Sequence, residues 1–173
     1  MWRNTTLFGK RVVNKHENNN QTLSNDWLTY CHTGIYVHAD WSNSSKGLCY
    51  KKFKDCFEFE NFLNLLDDKD RQLLCKFRTC NHWLPIEIGR WQAIERQNRT
   101  CNIRDKNEIG DEFHYVLQCP SLHNDRRRLF DSTYLTRVNI WKFANLFQSR
   151  NKIKLRHLCK FIKIILSKTR PPG

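Results

Sequence analysis

From Phe57 onward the apolar residues of this chain recur three and four positions apart, a spacing that predicts a series of helices. Phe59, Phe62, Leu63, Leu65 and Leu66 fall near one face of a short helix ending at Asp67-Asp68. Asp68 or Asp70 is the expected N-cap of a second helix, which carries Leu73, Leu74, Phe77 and His82 and stops at Pro85. Glu87 to Arg96 suits one or two more turns around Trp91 and Ile94. Beyond a polar loop at 98–110, Asp111 is placed to cap a stretch through Phe113, Val116 and Leu117. Pro120 then sits where the first proline of a helix belongs, ahead of a charged helix through 121–130. Two amphipathic helices follow. Val138 to Phe147 carries Ile140, Phe143, Ala144 and Phe147 at i, i+3, i+4 and i+7. Lys152 to Lys168 carries Leu155, Leu158, Phe161, Ile162 and Ile165 on one stripe.

The first 50 residues lack this rhythm. Residues 14–26 are Asn-rich with Leu23 as their single apolar residue, and read as a linker. Tyr30, His32, Ile35, Val37 and Trp41 hint at short strands. The expected fold class is therefore mainly α. It is a small helical domain with a degenerate Cys/His loop–helix element and a basic C-terminal amphipathic helix. The expected divisions are a partly disordered arm or linker at 1–44, a helical body at 45–131 and basic C-terminal helices at 132–173.

Charge changes this picture more than composition does. The 173 residues hold 30 Lys/Arg against 17 Asp/Glu, a net charge of +13. The last acid is Asp131, so the final 42 residues carry ten basic residues and no acid, while residues 1–131 are close to neutral. A basic excess points to polyanions, nucleic acid or an acidic membrane surface, and not to a fold. The basic helix reads three ways: a packed helix with a solvated face, a phosphate-backbone binder, or a membrane-surface or calmodulin-type helix. Its candidate contacts are Lys152, Lys154, Arg156, Lys160, Lys163 and Lys168, extended by Arg126, Arg127 and Arg128. No apolar run approaches the roughly 20 residues of a membrane helix, and no secretory leader is evident. Eight cysteines in such a chain read as thiols of a reducing, intracellular setting, nucleus or cytoplasm.

Cys101 lies in a polar loop, and His114 and Cys119 flank a helical stretch. Thiolate and imidazole are the donors zinc prefers, so this is a candidate ligand set. A C-x2-C pattern would place its second cysteine at 104, where Arg104 stands. His123 is the nearest candidate for a fourth ligand, with Cys80 and His82 next. The same residues also read as small buried thiols and a packed histidine. The lone Asp-Asp pair, Asp67-Asp68, sits at a helix end with no strand beside it, and so does not look like a two-metal nucleotidyl-transfer site. Arg78, Arg90 and Arg96 are placed to tie the body together through carboxylates such as Glu87 and Asp111.

The segments KFRTCNH (76–82), LPIEIGRW (84–91) and IGDEFHYVLQC (109–119) occur in that order within 73–119. Together they resemble the C-terminal region of invertebrate non-LTR retrotransposon reverse transcriptase polyproteins. The likeness extends over about 45–168, taking in YKKFKDCFEFENFLNLL (50–66) and LCKFIKIIL (158–166). It implies a reverse-transcriptase zinc-binding-like module lying beyond the polymerase, with Cys101, His114 and Cys119 as matching ligands. Arg104 replaces the remaining one. The implied function is a non-catalytic accessory fragment contacting RNA or DNA backbone. The competing expectation is a structural remnant or protein-interaction module without nucleic-acid binding.

Overall fold

The computed structural model describes residues 52–53, 60–104 and 107–171. The expected arm at 1–44, the strands suggested within 27–50 and the first part of the segment at 50–66 lie outside these residues. Six helices organise the described part: α1 (Phe62–Leu65), α2 (Asp68–Arg78), α3 (Pro85–Trp91), α4 (His123–Leu129), α5 (Ile140–Phe147) and α6 (Lys152–Lys168). Short 3-10 turns and one π-helical turn, His114–Gln118, connect them. Among the described residues there is no strand, only one isolated antiparallel bridge between Thr100 and Ile109. The domain is mainly α.

α6 is the central element and packs against α2, α4, α5 and the π-helical turn. Its stripe of Leu155, Leu158, Phe161, Ile162 and Ile165 is fully buried, together with Cys159, which lies between the expected stripe positions. Asn151 starts the helix by accepting from the backbone N–H of Ile153 and Lys154 at 2.9 and 3.2 Å. An aromatic cluster joins the ends of the domain. Phe53 meets Phe147 edge-on at 4.7 Å between centroids, and Phe77 stacks on Phe147 at 5.9 Å. Phe130 rests edge-on against Phe161 of α6 at 4.8 Å.

Element boundaries differ from the sequence reading where caps compete. Asp67, not Asp68 or Asp70, caps α2, because its extended backbone lets the carboxylate accept from Asp70 N at 2.9 Å. Pro85 does not stop α2. That helix ends at Arg78 in a turn through Cys80, and Pro85 opens α3, where its missing N–H costs nothing. His82 consequently lies outside α2. Ile140 and Trp141 lie on the exposed side of α5, whose buried residues are Phe143, Leu146 and Phe147.

The arginine ties expected from sequence are present. Arg90 bonds Glu87 at 2.8 Å and Arg96 approaches Asp111 at 3.5 Å. Arg78 is buried, holds Glu60 with two bonds of 2.7 and 2.8 Å and lies over the Phe62 ring. The loop at 99–110 is drawn against α3 through Gly110, whose carbonyl accepts from Ile86 N. A Cβ at Gly110 would sit 3.0 Å from both Pro85 Cγ and Thr100 O, so a side chain there would press on both neighbours.

Candidate metal centres and basic surface

His114 and Cys119 are five residues apart. On a regular α-helix, at roughly 100° per residue, they would point about 140° away from each other. The π-helical turn removes that mismatch: Cys119 N–H bonds to His114 O at 2.7 Å, an i→i+5 closure that stacks the two residues on one side. Cys101 reaches the same place from the 99–110 loop, where its N–H bonds to Glu108 O at 2.8 Å. The three side chains are buried, and their ligand atoms lie within 4.8 Å of one another.

The donor set fits a metal ion. His114 Nε2 is buried without a hydrogen-bond partner among the described residues. Its Nδ1 lies 3.5 Å from Glu108 Oε2, the outer carboxylate arrangement that orients metal-ligating histidines. The two thiols share a proton unequally. The neighbouring Cys119 thiol, working against burial, holds Cys101 far below the usual thiol range, while the same neighbour and burial push Cys119 up. Tyr115 closes the loop over the site: its hydroxyl donates to Asn102 Oδ1 at 2.8 Å and accepts from Asn102 N at 3.1 Å.

The other predicted ligands are not brought in. His123 begins α4 and is exposed, outside the cluster, and Arg104 is exposed on the loop. Among the described residues the site therefore has three ligands. Cys80 and His82 do not complete it either; they belong to a separate buried group with Glu112. Glu112 and His114 are two residues apart and point to different sides of their segment. Glu112 Oε1 lies 3.1 Å from His82 Nε2. Burial opposes the charged form of His82, but Cys80 and Glu112 outweigh it and raise the imidazole to about 9. Burial likewise opposes the Glu112 carboxylate, yet His82 and Lys52 bring it down to about 2. The sequence held a signal for this second group, since Cys80, His82 and Glu112 all lie in the segments quoted above. Their meeting depends on how the α2–α3 turn packs against the π-helical segment.

The basic residues divide into three kinds. Arg126 is withdrawn from the nucleic-acid-binding candidates, because it is 3% exposed. Its guanidinium donates to Val116 O at 2.7 Å, Cys119 O at 3.1 Å and Tyr115 O at 3.3 Å, and lies over the Phe161 ring. It holds the carbonyls of the π-helical turn, and burial lowers it to about 10. A second set is engaged in surface ion pairs: Lys154 with Asp131, Lys163 with Asp70, and Lys168 and Arg128 with Asp125. Arg127, Lys152, Arg156 and Lys160 are exposed and make no ion pair among the described residues. Between α2, the segment that follows it and the end of α6, a cleft of about 350 Å³ is lined by Lys69, Lys76, Asn81, His82, Trp83 and Leu166, among others.

No family model, curated protein or solved structure matches this chain. Among the described residues no helix is long and apolar enough to cross a membrane.

Proposed function

We propose that this chain is a non-catalytic accessory module that contacts the phosphate backbone of RNA or DNA, with zinc bound by Cys101, His114 and Cys119. The observation that carries the nucleic-acid reading is a stripe on α6. Lys152, Arg156 and Lys160 follow one another at i, i+4 and i+8, exposed and without ion-pair partners among the described residues, roughly 6 Å apart along the helix. Lysine and arginine in such a row neutralise phosphates and release counterions without reading sequence. The resemblance to the region beyond a retrotransposon polymerase supports the same reading, and the eight cysteines, read as thiols, suit a reducing interior, nucleus or cytoplasm. The non-catalytic part rests on the aspartate pair: Asp67 caps α2 and Asp68 pairs with Arg71. When bound, zinc supplies a crosslink between the 99–110 loop and the π-helical turn.

Titration of a single-stranded RNA oligonucleotide against salt tests the proposal. Three phosphate contacts give a log–log slope of about −2, at roughly −0.7 per contact. Reversing Lys152, Arg156 and Lys160 to glutamate should abolish binding and leave the fold intact. Absence of binding by the unaltered chain at low salt would sink the reading. One observation favours the second reading, a protein-interaction module. Trp91 and Trp141 are 60% and 69% exposed, and Ile140 and Ile153 are also exposed. A partner held through these side chains would stay bound at high salt.

A further inference from the structure

We propose that Cys80, His82 and Glu112 form a second metal site, separate from Cys101–His114–Cys119, suited to a divalent ion of zinc's class. The first observation is where Cys80 stands. α2 ends in a Schellman turn: Asn81 N–H reaches back to Lys76 O at 2.8 Å and Cys80 N–H to Phe77 O at 3.2 Å. This turn needs its penultimate residue in the left-handed region, normally a glycine, and Cys80 occupies it at φ 53°. A side chain there costs about 1 kcal/mol or more, so the position points to a use for the thiol. That thiol is turned inward and is fully buried.

The second observation is the group it joins. Cys80, His82 and Glu112 are all buried, and their ligand atoms lie within 4.8 Å of one another. His82 Nε2 and Glu112 Oε1 approach to 3.1 Å, yet neither atom makes a well-directed hydrogen bond among the described residues. Two ligands of one tetrahedral ion, with bonds of roughly 2.0–2.1 Å, sit about 3.3 Å apart, close to this separation. A thiolate, an imidazole and a carboxylate are all zinc donors, and their two negative charges balance a divalent cation.

Two neighbouring contacts bear on the site. Lys52 Nζ lies 3.9 Å from Glu112 Oε2 but is closer to Asp111, at 3.2 Å, so it leaves Oε1 to the ion. Leu84 N–H lies 3.4 Å from His82 Nδ1, at the long limit of a hydrogen bond. An ion on Nε2 requires the ring proton on Nδ1, so loading opens that contact. His82 also lines the cleft beside Lys76 and Trp83, which gives the ion a way in.

The test uses the full chain, purified and loaded first with zinc and then with cobalt(II), and measures metal per chain and the sulfur-to-cobalt charge-transfer absorption. Two ions per chain are expected. Cys80→Gly supplies the residue the turn prefers, so the fold is retained or stabilised while one ion and one thiolate's absorption are lost. A Cys101→Ser/Cys119→Ser variant, by contrast, should keep one ion with the absorption of a single thiolate. Metal content and absorption unchanged in Cys80→Gly would overturn the proposal and leave a buried His82–Glu112 ion pair only. Should the double serine variant fail to fold, the Cys80→Gly measurement decides alone. Loss of nucleic-acid binding in any variant bears on the function proposed above and not on this site.

Discussion

The C-terminal helix and the loop–π-helical element are neighbours held together by opposite means. α6 is secured by a stripe of apolar side chains, each fully buried and each contributing through its volume. The element at 99–119 is secured by a few polar anchors: Arg126 on three carbonyls, Tyr115 on Asn102 and the close approach at Gly110. The difference teaches where each kind of damage should appear. Trimming α6 loosens the whole domain, whereas removing one anchor releases the ligands that converge on it.

The largest effect should come from Leu158→Ala. It removes a fully buried side chain from the central helix and should cost about 2–5 kcal/mol, read as a lower unfolding midpoint in urea. The folded fraction should keep its metal content, because Leu158 belongs to neither Cys/His group. Arg126→Met comes next, at about 3 kcal/mol, for the three charge-assisted bonds withdrawn from buried carbonyls. Here zinc retention should fall along with stability, since His114 and Cys119 lose the turn that stacks them. Equal zinc retention in the two variants would erase the contrast between the regions.

Asn151→Ala sharpens the comparison at smaller scale. It removes the cap of α6 and should cost about 1 kcal/mol in midpoint stability, with no change at either Cys/His group. Asp125→Asn is expected to be smallest, below about 1 kcal/mol, because its pairs with Lys168 and Arg128 are at the surface. Its sign with pH is defined. Lys168, then Arg128, holds the Asp125 carboxyl below its ordinary value of 3.8. The contribution is present above that value and is lost as pH falls through the lowered one. The difference in thermal midpoint between Asp125→Asn and the unaltered chain should therefore shrink in acid.

Local patterns of the chain carry much of the fold. The α6 stripe was legible because five apolar residues repeat at helical spacing over 17 positions, and the boundaries Lys152 and Lys168 coincide with the observed ones. The Asp111 cap was legible for a similar reason: its carboxylate accepts from His114 N at 2.9 Å, a bond between near neighbours. Boundaries around 78–85 were not legible, because Asp67, Asp68 and Asp70 all suit a cap and Pro85 suits either the end of one helix or the start of the next. Arg126 was misplaced because Arg126-Arg127-Arg128 look alike in one dimension. Only the packing of α4 turns the first of them inward and leaves the others exposed.

The sequence by itself determined the mainly helical fold of the described residues, the separation of charge along the chain and the candidacy of Cys101, His114 and Cys119 as ligands. These follow from spacing, composition and side-chain chemistry, which are properties of residues close together in the chain. The tertiary structure alone decided that Cys80 and His82 meet Glu112 and not the first ligand set. It also decided which lysines meet acidic partners among the described residues, and that a π-helical turn aligns His114 with Cys119. Each of these depends on contacts between segments tens of residues apart, or on a backbone register that packing selects and local propensity does not encode.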